Sequence, residues 1–137
     1  MNNQEARPIT IFMCGDVMTG RGIDQVLPHP SPPVLYEPYL KSAGKYVEIA
    51  EGANGPIPHP VEFSYIWGDA LDEWNRVGPD LRIINLETSI TKSGDYWKGK
   101  GINCRMNPEN IPSLTAARID YCSLANESNQ RLLISKE

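Results

Sequence analysis

The apolar positions along the chain change period several times, and each change marks an element. Ile9 to Cys14 is a short, mostly apolar run with β-branched residues that ends at Gly15-Asp16, which predicts a buried strand. A loop with a helical turn follows through Gly20, Arg21 and Gly22. Four prolines between Pro28 and Pro33 impose irregular or extended backbone. Glu37-Pro38 then opens a helical pattern whose apolar face is Leu40, Ala43, Val47 and Ala50, ended by Gly52 to Gly55. A second proline-rich loop, Gly55 to Pro60, precedes another helical stripe of Ile66, Ala70, Leu71, Trp74 and Val77, closed by Gly78-Pro79.

The second half of the chain repeats the alternation. Leu81 to Leu86 predicts a strand with Glu87 at its carboxyl end. Thr88 to Gly101 reads as a long loop, with a hairpin as one way to fold it. Asn107-Pro108-Glu109 is a helix start, with Asn as cap, Pro in the first turn and Glu near the positive end of the dipole. Ile111, Leu114 and Ala117 form its stripe, and Ile119 to Ala125 predicts a third strand. The order β, α, α, β, α, β predicts an α/β sheet with parallel neighbours.

Composition narrows the function classes. At 137 residues the chain is long enough for one domain, and 40% hydrophobic with 22% charged residues is ordinary for a globular protein. The net charge of −4 and the scattered basic residues leave no footprint for nucleic acid. Lys92, Lys98 and Lys100 come nearest to a patch, and Asp95 interrupts them. Three cysteines without a Cys-x-x-Cys pair exclude a zinc knuckle or thioredoxin-type motif, and Cys14 and Cys122 sit in apolar runs as buried thiols do. The polar start lacks a signal-peptide pattern, and no apolar run approaches the ~20 residues of a membrane helix, so a cytoplasmic location is expected.

Three strand exits could carry chemistry. The first is Gly15-Asp16-Val17-Met18-Thr19-Gly20-Arg21-Gly22, the second Asn85-Leu86-Glu87-Thr88, and the third Leu124-Ala125-Asn126-Glu127-Ser128-Asn129. Carboxyl ends of parallel strands open onto the crevice where α/β sheets bind ligands. Asn85 and Glu87 are two apart and share a face if the strand continues, and both offer oxygen to a hard cation. The same residues also suit plain turn caps and solvated strand exits. Gly15 to Gly22 is not a phosphate-binding P-loop, because Arg21-Gly22 stands where Lys-Ser/Thr is needed. His29 and His59 lie between prolines and are expected in exposed loops, whereas Trp67, Trp74 and most tyrosines are expected to pack in the core.

In order and spacing, Gly15-Asp16-Val17-Met18-Thr19-Gly20-Arg21-Gly22, Ile84-Asn85-Leu86-Glu87-Thr88-Ser89-Ile90-Thr91 and Asn107-Pro108-Glu109-Asn110 leading to Leu124-Ala125-Asn126 resemble the CapA-type capsule-synthesis family, associated with capsule or poly-γ-glutamate production. The resemblance covers residues 9–126, with 127–137 as a divergent tail. It implies part of a metallophosphoesterase-like (calcineurin-like) α/β/β/α sandwich. It also implies a divalent cation, Mn, Mg or Zn, with Asp16, Asn85 and Glu87 as ligands and Glu127 as a further carboxylate.

The third family motif, Ala-Asn-Asn-His, departs here. Glu127 stands for the second Asn and Ser128 for the His, and no histidine follows His59. The resemblance therefore implies an incomplete metal site and a truncated N-terminal portion without phosphoesterase activity as it stands. A half-built sheet leaves an exposed edge, so self-association is expected, and a non-enzymatic module that assembles with another chain is the alternative.

Overall fold

The computed structural model describes residues 7–124. Its core element is a parallel three-stranded sheet in the order β1 (Ile11–Val17), β2 (Leu81–Leu86), β5 (Tyr121–Ser123). The expected α/β class with parallel neighbours is therefore observed. β1 starts and ends later than its apolar run suggested, so Asp16 lies within the strand and not beyond it.

Register decides which side chains share a face. Met13 pairs with Ile83 and Cys14 with Ile84, after which Asp16 pairs with Asn85 and Val17 with Leu86. Gly15 is thus an extra residue, a bulge in β1. β2 pairs with β5 through Ile83–Tyr121, Ile84–Cys122 and Asn85–Ser123. Paired residues point to the same side of a sheet, so rows run across all three strands.

One side of the sheet is covered. Ile84 and Leu86, each 1% exposed, pack with Leu114 and with Val17, Trp67, Ile119 and Cys122. Burial of such a side chain contributes about 2 kcal/mol. Phe12 meets Trp74 edge-on at 4.8 Å, and Trp67 Nε1 donates to the Ser113 carbonyl at 2.7 Å. The covering elements are α3 (Ala70–Val77) and α4 (Pro112–Ala116). The opposite side is open: Ile11 is 51%, Met13 70% and Tyr121 60% exposed.

Edge position in the sheet corrects two expectations. β1 is not a buried strand, and Cys14 is an exposed thiol, with Cys122 only half-buried. Both follow from position, because among the described residues β1 and β5 are the outer strands and only the middle strand is packed from both flanks. Of the cysteines, the buried one is Cys104, whose thiol is pushed up by burial.

The helices also differ in extent. α1 (Gly22–Val26) is the expected helical turn. α2 begins at Gly44 and ends at Asn54, with Gly55 at φ 88 closing it. The segment before it is no helix: Leu35 N donates to Lys41 O, Ala43 N donates to Pro33 O, and Val34 bridges Ser42. This strap is held by Glu37, which is 1% exposed and points inward as an ion-pair partner, where a helix start would leave it in solvent. The stripe from Ile66 to Val77 is split by Gly68 (φ 48) into a short turn, Tyr65–Trp67, and α3. Gly78, left-handed at φ 61, ends α3 as predicted.

Residues 88–101 do not form a hairpin. Ser89–Ile90 (β3) pairs in parallel with Arg105–Met106 (β4), a second small sheet. The Asn107 cap is real, its side chain accepting from Glu109 N at 3.1 Å with Pro108 next. Leu114 and Ala117 are buried, but Ile111 is exposed. Trp67 and Trp74 pack as expected; Tyr36, Tyr39, Tyr65 and Tyr121 are exposed instead. No helix among the described residues is long and apolar enough to cross a membrane.

Candidate functional site

At the carboxyl end of the sheet, Asn85 Nδ2 donates to Asp16 Oδ1 at 2.7 Å. The bulge at Gly15 makes this contact. A regular strand would set Asp16 across from Leu86 on the helix-covered side; the extra residue sets it across from Asn85 on the open side. Glu87 follows directly, its amide donating to Val17 O at 3.0 Å, so the ladder continues one step past the strand. Ser123 completes the row beyond Asn85. Asp16 and Asn85 are therefore brought together and Glu87 is next to them in sequence, whereas Asn126 and Glu127 lie outside the described residues.

A hydroxyl latch holds the two strand exits. Thr88 Oγ1 accepts from Thr19 N at 3.0 Å, and Thr88 and Thr19 are 0% and 1% exposed. Next to it, a Cβ on Gly20 would come within 2.8 Å of the Arg105 carbonyl oxygen, so only glycine permits this approach.

Behind the exits lies a buried ionic cluster that pattern reasoning did not find. Arg21 Nη2 is 2.6 Å from Glu37 Oε1, and Tyr46 Oη donates to Glu37 Oε2 at 2.8 Å. The Arg21 guanidinium also lies over the Tyr46 ring at 5.3 Å. Burial and the Glu37 carboxylate push the Tyr46 hydroxyl up to about 12. Arg21 is held at φ 54, a conformation that costs a non-glycine residue about 1–3 kcal/mol and persists only when surroundings over-determine it.

A second cluster ties the loops to the short turn that leads into α4. Asp24 Oδ1 accepts from Asn107 N at 2.9 Å and Asn110 Nδ2 at 3.0 Å, and Oδ2 accepts from Ser31 N at 2.6 Å. Asn110 also exchanges hydrogen bonds with the His29 backbone at 3.1 and 2.9 Å. The signal for both clusters was present as charged residues among apolar and proline-rich ones, but their partners lie far apart in sequence. His29 and His59 are exposed, as expected.

Do these residues suit a divalent cation? Carboxylate and amide oxygens are the ligands hard cations take. Asn85 presents its amide NH₂ to Asp16, so to act as a ligand it must turn its oxygen instead; the two ends of an amide are assigned from such networks. The pair fits such a cation in kind, as two ligands. Among the described residues, no group of three or more His, Cys, Asp or Glu is arranged to hold a metal.

Residues 10–128 match the sequence profile of the family described as bacterial capsule synthesis protein PGA_cap. The chain belongs to this family. Two proteins of Mycobacterium tuberculosis, one from strain CDC 1551 / Oshkosh and one from strain ATCC 25618 / H37Rv, are each 48% identical to it over 118 residues. Each is named a probable polyglutamine synthesis accessory protein. The match covers 86% of this chain and 31% of each relative, so the chain spans about a third of their length. No solved structure matches the chain. The Asp16 and Asn85–Glu87 strand exits both fall inside the span shared with the PGA_cap family.

Proposed function

We propose that this chain supplies the first strand exits of a metallophosphoesterase-like metal centre in a capsule or polyglutamate synthesis protein, in an accessory role like that named for its relatives. The observation that carries the reading is the Asp16–Asn85 contact at the carboxyl ends of neighbouring parallel strands. Asp16, Asn85 and Glu87 are the residues we assign to holding a divalent cation, with Glu127 as a further carboxylate. A bound cation would supply Lewis acidity toward a phosphoryl oxygen. This chain's own contribution is to hold the carboxylate against the amide on the open face and to fix both exits through the Thr88 latch.

Hydrolysis by this chain alone is not expected. Ser128 stands where the family motif has His, and a serine hydroxyl neither ligates a metal as imidazole does nor protonates a leaving oxygen near neutral pH. The test combines manganese titration, followed by the loss of the free-ion signal in electron paramagnetic resonance, with hydrolysis of a chromogenic phosphodiester. The expected result is binding that Asp16→Ala removes, without turnover. Absence of binding overturns the metal assignment, and turnover that Asp16→Ala abolishes overturns the inactivity.

A second reading is an assembly module without an enzymatic role. It is favoured by the row Met13–Ile83–Tyr121, an apolar strip across the open face beside the polar row Asp16–Asn85–Ser123.

A further inference from the structure

A cavity of about 580 Å³ opens between the Arg21 turn, the strap at Tyr36 and the loop from Ser93 to Arg105. Asp16, Asn85 and Glu87 do not line it, so it is separate from the sheet-end pair. Its wall carries three cations, Arg21, Lys100 and Arg105, and two carboxylates, Asp24 and Asp95. Asp24 is occupied by three hydrogen-bond donors and buried. Glu37 answers Arg21. Among the described residues neither Lys100 nor Arg105 pairs with a carboxylate; Arg105 donates only to the backbone carbonyls of Ser93 (2.6 Å) and Pro32 (3.2 Å).

Two of those five guanidinium donors are used, which leaves planar donor capacity of the kind that grips carboxylate or phosphate. The buried Nε of Arg21 also makes no hydrogen bond. The two arginines are neighbours in space, since Gly20, preceding Arg21, packs against the Arg105 backbone. Facing this polar corner, the Tyr36 and Tyr96 rings stack at 3.6 Å and 9°, with Trp97 also on the wall. Ligand sites combine such an apolar wall with a few convergent polar groups.

We propose that this cavity binds a small ligand bearing an oxyanion, anchored by Arg21 and Arg105, with its body against the Tyr36–Tyr96 stack. Lys100 adds charge at the rim. The site is independent of the metal assignment and stands or falls separately.

The test is nuclear magnetic resonance of the full chain, following the arginine Nε–H and Trp97 indole signals during titration with succinate, inorganic phosphate or neutral succinamide. Succinate or phosphate should shift these signals saturably, and succinamide should not. The better of the two anions identifies the ligand as carboxylate or phosphate. Arg105→Gln should weaken binding about tenfold, the loss of one charge-assisted contact, and Arg105→Lys should restore part of it. Should Arg105→Gln not fold, Lys100→Gln is the deciding variant and is expected to lower affinity severalfold. The proposal is overturned if neither anion acts at about 10 mM, a dissociation constant too weak for a built site. It is equally overturned if succinamide acts alike, or if the deciding folded variant binds unchanged.

Discussion

Asp16 faces Asn85, and not Leu86, because Gly15 is an extra residue in β1. One inserted residue therefore turns the Asp16 carboxylate from the helix-covered side of the sheet to its open side. Asp16→Ala and Asn85→Ala should each lower manganese affinity by about tenfold or more, as removal of a ligand or of its immediate support does. Glu109→Gln should not, since Glu109 pairs with Lys92 and lies near His29 on the far loops. Equal loss in all three variants would mean that the cation is held by general surface charge.

Asn110 is expected to be the most sensitive polar residue outside this pair. It is 0% exposed and joins Asp24 to the His29 backbone. Asn110→Ala would leave buried polar groups without partners, at a cost of about 2–4 kcal/mol. Urea denaturation of the variant against the unchanged chain measures it, and a difference below about 1 kcal/mol would mean that water replaces the amide without penalty.

Local signals were legible where sequence-adjacent residues decide the structure. The strand from Leu81 to Leu86, the Asn107 cap and the Gly78 stop are written in propensity and turn chemistry. The parallel order followed from alternating elements. What was not legible depends on partners distant in the chain. Glu37-Pro38 looks like a helix start until Arg21 and Tyr46 are known to lie against Glu37. Cys14 looks buried until β1 proves to be an outer strand. The site pair was readable as two strand exits, but the bulge that aims Asp16 was not, since Gly15 serves equally as a turn residue.

The Arg21–Glu37–Tyr46 cluster makes a prediction at alkaline pH. The Tyr46 hydroxyl is raised from 10.0 to about 12, first by burial and then by the Glu37 carboxylate. A raised folded value favours the protonated form in the folded chain. Its stabilising contribution is complete below pH 10 and is lost as pH rises toward about 12. A spectrophotometric titration should contain a late tyrosinate component that vanishes in Tyr46→Phe. Glu37→Ala should leave Arg21 without its carboxylate partner and destabilise the fold by about 3 kcal/mol, as breaking one side of a buried ion pair does.

The open face should govern association. Met13, Ile83 and Tyr121 form one row across the sheet, and Met13 and Tyr121 are 70% and 60% exposed. β5 is an outer strand among the described residues, and along it Asp120 is the one charge near the apolar positions. Its carboxylate is already turned back to accept from Arg82 N at 2.8 Å, which weakens it as a guard of the strand edge. We therefore expect self-association that rises with concentration and persists in high salt, since its source is apolar burial and not charge. Sedimentation velocity should show the monomer fraction increase in Met13→Lys and in Tyr121→Lys, which place a cation in the row without touching the covered side. Hydrogen exchange on Tyr121 to Ser123 should slow as the unchanged chain is concentrated. A chain that stays monomeric at every concentration, with those amides protected from the start, would mean that this face needs no partner.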